Sequence, residues 1–161
     1  MNLRRLIWHA PFLSDRRKLE WFPPFWLMRI KVLEVSDGWR TVRVRLPQTW
    51  ISRNAGGGLF GGFQAALADP VAPMACMHLF PGYAVWTRHL ALDFQHEAGT
   101  DLELRFQVTE GQEADIRAEL QHRGRASPVF HYAYYNGEGR LCTAVETKVA
   151  IRPQGYRKPG G

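Results

Sequence analysis

Between Leu59 and Leu79 the chain carries a run that is apolar on every side, with Gln64, Asp69 and His78 as its polar interruptions. Read as a helix, such a segment has no natural solvent face and must be surrounded. It is too interrupted to cross a membrane, because no stretch reaches about 18 apolar residues free of polar ones. The flanking sequence supplies the surround. Asp37-Gly38 is a two-residue hairpin signal joining Ile30–Val35 to Trp39–Leu46, where Val42, Val44 and Leu46 alternate with Thr41, Arg43 and Arg45. Val85–Phe94 and Leu102–Val108 read as strands. Thr109 and Gln112 stand at capping-box spacing for a helix over 109–122, which Gly124 ends. Val129–Tyr135 and Arg140–Ile151 form a second hairpin around Asn136-Gly137-Glu138-Gly139. The expectation is an α+β fold, a curved antiparallel sheet of about six strands wrapped around one long apolar helix. The order is not βαβ, which disfavours a Rossmann-type sheet.

Charge divides the chain. Of the net +6, residues 1–31 hold +5, with seven basic groups against Asp15 and Glu20. We therefore divide the sequence into a basic arm over 1–21, one domain over 22–152 and a loose tail over 153–161. Ser14 is placed to cap a short helix over Asp15–Trp21, which Pro23-Pro24 interrupts. A basic arm suits nucleic acid, an acidic membrane surface or an anionic cofactor, and equally a solvated helix. Two cysteines, Cys76 and Cys142, are too few for a disulfide framework and show no metal-ligand spacing. The N-terminus lacks a signal-peptide pattern, so a cytoplasmic location is expected.

The start of the apolar helix concentrates the chemistry. Residues 56–62 contain five glycines. Glycine there lets a ligand approach a helix N-terminus, whose first N–H groups lack intrahelical partners and suit an anion or a developing oxyanion. No Lys-Ser or Lys-Thr follows, so this is not a Walker loop. Close packing against a sheet is the other use of Gly61 and Gly62. Asp69 is a lone acid after an apolar turn that reads as buried, before Pro70. It is either functional or a helix terminator. Gly61 and Asp69 lie roughly 12 Å apart along a helix axis, too far to touch one carbonyl. If both act on one substrate, they come from different chains.

The pattern Asn54-x6-Gly61-Gly62-x6-Asp69, with Leu67-Ala68-Asp69, resembles the hotdog-fold acyl-CoA thioesterases of the phenylacetate-pathway type. The "FPPFWLMRIKVLEV" opening and the helix at 109–122 resemble a divergent branch described as tetrameric. The resemblance implies an acyl-CoA thioester hydrolase. The Gly61 amide would polarise the carbonyl, Asn54 would place the thioester, Asp69 would act as general base or nucleophile, and Thr87 would add a hydroxyl. Phe60 stands where those enzymes often have histidine. Phe60, Gly62, Arg123 and Arg125 are the candidate substrate contacts. The implied partners are acyl-CoA and a second copy of the chain, as a homodimer or dimer of dimers. No metal is expected, no cofactor beyond the CoA of the substrate, no nucleic acid and no membrane partner. The alternatives are an acyl-CoA-binding protein that does not cleave its ligand, and a nucleic-acid-binding domain using the basic arm with Trp8, Trp21 and Phe22 as stacking platforms.

Overall fold

The computed structural model describes residues 14–156. Six strands form one antiparallel sheet: β1 (Lys31–Ser36), β2 (Thr41–Leu46), β3 (Tyr83–Phe94), β4 (Leu102–Gln107), β5 (Val129–Tyr135) and β6 (Leu141–Pro153), in the order β1-β2-β4-β5-β6-β3. The alternating faces read from the sequence meet in register, Val42 opposite Phe106, Val44 opposite Leu104 and Leu46 opposite Leu102. All six side chains are buried. They cover the long helix α3 (Gly61–Leu79), which sinks Leu67, Ala68, Val71, Ala72, Met74, Ala75, Cys76 and Leu79 into the same core. Burial pushes the Cys76 thiol up to about 12, so it stays an inert packing group.

Two short helices precede the sheet, α1 (Asp15–Trp21) and α2 (Pro23–Leu27). Ser14 caps α1 through its Oγ, which accepts from the Arg17 N–H at 3.4 Å. The part of the expected basic arm that the structure describes packs on the sheet. Leu19 is buried, Glu20 accepts the Val32 N–H at 2.9 Å, and Asp15 accepts the Trp39 indole N–H at 3.0 Å. Residues 15–21 are thus held against β1 and the β1–β2 turn. Trp8, Arg4 and Arg5 lie outside the described residues, as do 157–161 of the expected tail. Tyr156 stacks near Trp86, with ring centroids 6.4 Å apart.

The Asp37-Gly38 turn is longer than a two-residue hairpin. Asp37, Gly38 and Trp39 all have positive φ, 52°, 64° and 76°. The extra residues turn Trp39 inward, where it is buried and stacks on His78 with centroids 4.2 Å apart. Burial of one large aromatic wins over the tighter turn. The helix α4 (Glu110–Arg123) follows expectation, with the Thr109/Gln112 capping box in place and Gly124 at φ 65°. Its Glu113 accepts from Arg40 at 2.6 Å and from Arg117 at 2.6 Å, and Arg117 donates to the Leu79 carbonyl at 2.9 Å. These bonds tie α4 to the β1–β2 turn and to the C-terminus of α3.

Candidate active site

The helix N-terminus is reached through a loop that is held from within. Ser52 is buried, its Oγ donating to the Pro47 carbonyl at 2.9 Å. The Phe60 N–H donates to the Ser52 carbonyl at 2.7 Å, and the Leu59 N–H to the Ala98 carbonyl at 2.8 Å. Asn54 closes the glycine turn on both sides: its Oδ1 accepts the Gly58 N–H at 3.1 Å and its own N–H donates to the Gly58 carbonyl at 2.8 Å. Gly57 sits at φ 88°, a conformation that disfavours side chains. Asn54 keeps its Nδ2 donors free among the described residues.

This loop and the N-terminus of α3 enclose a cleft of about 440 Å³ lined by Asn54, Gly58, Gly61, Gln64, Phe94 and His96, among others. No side chain caps the helix here, and among the described residues the N–H groups of Gly61 and Gly62 have no hydrogen-bond partner. Both glycines also permit close packing. A Cβ at Gly61 would meet Phe94 Cζ at 2.8 Å, and one at Gly62 would collide with the ring of Phe60. Packing and donor presentation therefore coexist at the same backbone. Phe60 is half exposed and meets Phe63 edge-on, with centroids 5.9 Å apart.

Asp69 stands two turns further along. Neither it nor Thr87 lines the Asn54–Gly61 cleft. The apolar turn before Asp69 buries Leu67 and Ala68 as expected, but Asp69 itself is exposed: Gly62, Ala66 and Asp69 form an exposed stripe at i, i+4 and i+7. The Asp69 carboxylate makes no hydrogen bond or ion pair among the described residues. Pro70 does not end the helix, which continues through it and through Pro73. Each proline withholds an N–H from the carbonyl four residues earlier. For Pro73 that carbonyl belongs to Asp69, and the Thr87 hydroxyl donates to it at 3.0 Å. The structure thus brings Thr87 and Asp69 together, with the hydroxyl proton committed to the helix backbone. Arg123 ends α4, 3.5 Å from Glu119, and Arg125 is exposed beyond Gly124. Neither lines the cleft.

Beneath α3 lies a polar layer that the sequence pattern does not single out. Tyr132 OH donates to the Ala68 carbonyl at 2.8 Å and is paired with Thr147 Oγ1 at 2.7 Å. Tyr134 OH donates to the Gln64 carbonyl at 2.6 Å, and Thr143 Oγ1 donates to Gln64 Oε1 at 2.7 Å. Burial holds both phenols well above their ordinary pKa, and the Asp69 charge adds to the effect at Tyr132. They remain neutral donors that fix the helix on the sheet. Alternating tyrosines in a strand look like any core aromatics, so only Gln64, a polar residue in an apolar run, signals the layer. Among the described residues no group of three or more His, Cys, Asp or Glu side chains is arranged to hold a metal ion.

Known structures share this fold. A Pseudomonas aeruginosa protein of unknown function, described as a probable thioesterase, superposes with a TM-score of 0.75 at 17% identity, covering 85% of this chain and 92% of its own. A Haemophilus influenzae thioesterase gives 0.62 at 14% identity, covering 81% and 82%. A Staphylococcus aureus thioesterase gives 0.61 at 19% identity, covering 79% and 96%. The Staphylococcus protein is represented by two variants, with a glutamine, or a glutamate fifteen positions further on, replaced. At these identities the likeness is one of fold, the hotdog fold. No curated protein matches the chain. A family model matches residues 17–151, and by that match the chain belongs to the DUF4442 family, a domain of unknown function.

Proposed function

We propose that this protein hydrolyses acyl-CoA thioesters in a site shared between two copies of the chain. The observation that carries the reading is the pairing on one helix of two unpartnered groups: the N–H donors at Gly61 and the exposed carboxylate of Asp69. In the proposed step, the thioester carbonyl accepts from the Gly61 N–H, which gains strength as the oxygen becomes an oxyanion. Asn54 Nδ2 supplies a second donor beside it. Asp69 of the other copy takes a proton from water as the water attacks the carbonyl carbon, and the CoA thiolate leaves. The named thioesterases of the same fold support the reaction class. Asn54 and Asp69 are also fifteen positions apart, the spacing of the glutamine and the glutamate replaced in the Staphylococcus protein.

The second copy has a natural place. β3 is twelve residues long and lies at the edge of the sheet, with its outer backbone groups unpaired by any other strand among the described residues. Long open edges invite pairing with another chain. Antiparallel β3–β3 pairing about a two-fold axis would set Thr87 and Asp69 of one copy toward Phe94 and Gly61 of the other.

Phe60 favours a second reading, an acyl-CoA-binding protein without turnover, because it places an apolar ring where the resembled enzymes often have an imidazole. Steady-state release of free thiol from a panel of acyl-CoAs separates the two. Hydrolysis that is lost in Asp69→Asn supports the first reading. Acyl-CoA binding without thiol release supports the second.

A further inference from the structure

At the end of the molecule formed by α1 and α2, three large apolar side chains face solvent: Trp21, Trp26 and Leu27 are 57%, 69% and 51% exposed. They line a groove of about 520 Å³ together with Ile51, Arg29 and Lys31. Trp50, next to Ile51 in the chain, is 82% exposed. The exposure follows from the local sequence. Pro23-Pro24 start a helix of one turn, which turns Phe25 into the core and leaves Trp26 and Leu27 outside.

The charges around this groove are uncompensated. Arg29 and Lys31 are exposed, and their side chains make no hydrogen bond or ion pair among the described residues. Lys31 lies directly across from Arg45, a like-charge cross-strand pair that opposes sheet formation. The acid in the groove, Glu20, is engaged by the Val32 N–H at 2.9 Å and lies 3.8 Å from Arg16. Indoles, an aliphatic side chain and free cations on one face are the composition that seats at a bilayer surface, the apolar groups entering the headgroup boundary and the cations meeting anionic lipid.

We propose that this face docks on the surface of an anionic phospholipid bilayer. The association is peripheral, since no helix among the described residues is long and apolar enough to cross a membrane. It replaces the expectation of no membrane partner and does not depend on the thioesterase reading. Nucleic acid is the lesser fit: tryptophans and cations would serve it, but Leu27 and Ile51 offer nothing to stacked bases and much to acyl chains.

The test is co-sedimentation of the full chain with phosphatidylcholine vesicles, with and without phosphatidylglycerol, at low and high salt. The chain should sediment with the phosphatidylglycerol vesicles alone and be released by salt. Arg29→Glu with Lys31→Glu should weaken binding by at least about tenfold, because each cation near such a surface contributes about fivefold. Trp26→Ser with Leu27→Ser should abolish it. All four positions are exposed, so both variants should melt with the parent protein. Failure to sediment, as when residues 1–13 or a second copy cover the groove, overturns the proposal. So does vesicle binding that neither variant alters. A loss of self-association in Trp26→Ser with Leu27→Ser, without vesicle binding by the parent, would assign the face to another copy. Retention of a single-stranded oligonucleotide through these residues, again without vesicle binding, would assign it to nucleic acid.

Discussion

Single residues carry two duties at the start of α3. Gly61 leaves room for Phe94 and also presents an unpartnered N–H. A double variant separates the duties. Gly61→Ala should lower both the melting temperature and thiol release. Adding Phe94→Ala, which removes the half-exposed ring that the new Cβ meets, should restore the melting temperature while release stays low. Full recovery of release in the double variant would make Gly61 a packing residue and nothing more. Thr87 is the other informative position. Thr87→Val leaves the Asp69 carbonyl without a donor and should cost about 1 kcal/mol, while Thr87→Ser should be close to neutral. Thermal melting of the two variants checks this. The role of Thr87 in the helix was not legible in the sequence, because it depends on which strand residue lies over the carbonyl that Pro73 leaves free. Asn54, Gly61 and Asp69 were legible as a spacing. The exposure of Asp69 was not, since Ala66 and Gly62 look as apolar as the buried Leu67 and Ala68.

Elements that were periodic in sequence are periodic in the structure. β2 and β4 meet through the two alternations that marked them, and α4 begins at its capping box because Thr109 and Gln112 satisfy each other's backbone. Where tertiary contacts compete with a local signal, the local signal loses. Trp39 lengthens the Asp37-Gly38 turn, and the docking of Leu19 packs α1 on the sheet despite its charge. The anchoring of α4 gives a pH dependence. Glu113 is buried, and the Arg40 hydrogen bond holds its carboxyl below the usual carboxylate range, with Arg117 adding to it. A carboxyl with a depressed folded-state pKa contributes stability that is complete above its unfolded value of about 4.3 and is lost as pH falls through the folded value. Glu113→Gln should therefore destabilise the protein at neutral pH, by on the order of 1–2 kcal/mol, and the deficit should close on acidification below about pH 4. Denaturant melts of both proteins across that range measure it. A deficit that persists unchanged in acid would contradict the ion-pair account.

At the scale of the whole molecule, one chain offers half of each proposed site at two places. The Asn54–Gly61 cleft has backbone donors and Glu97 in its lining but not Asp69, which stands exposed two turns further along the same helix. The open β3 edge is where a second chain would complete both. Size-exclusion chromatography with light scattering should show a dimer or a multiple of one, and Thr87→Pro, which bars pairing along the edge strand, should shift it toward the monomer with loss of thiol release. The most direct test mixes two inactive chains. Asp69→Ala removes the proposed base, and Gly61→Val blocks the approach to the helix N-terminus. In a verified heterodimer one site carries both lesions and the other none. The shared-site account predicts that thiol release reappears, up to about half the wild-type value per dimer if the sites are independent. Heterodimers that fold, assemble and remain inactive would contradict it.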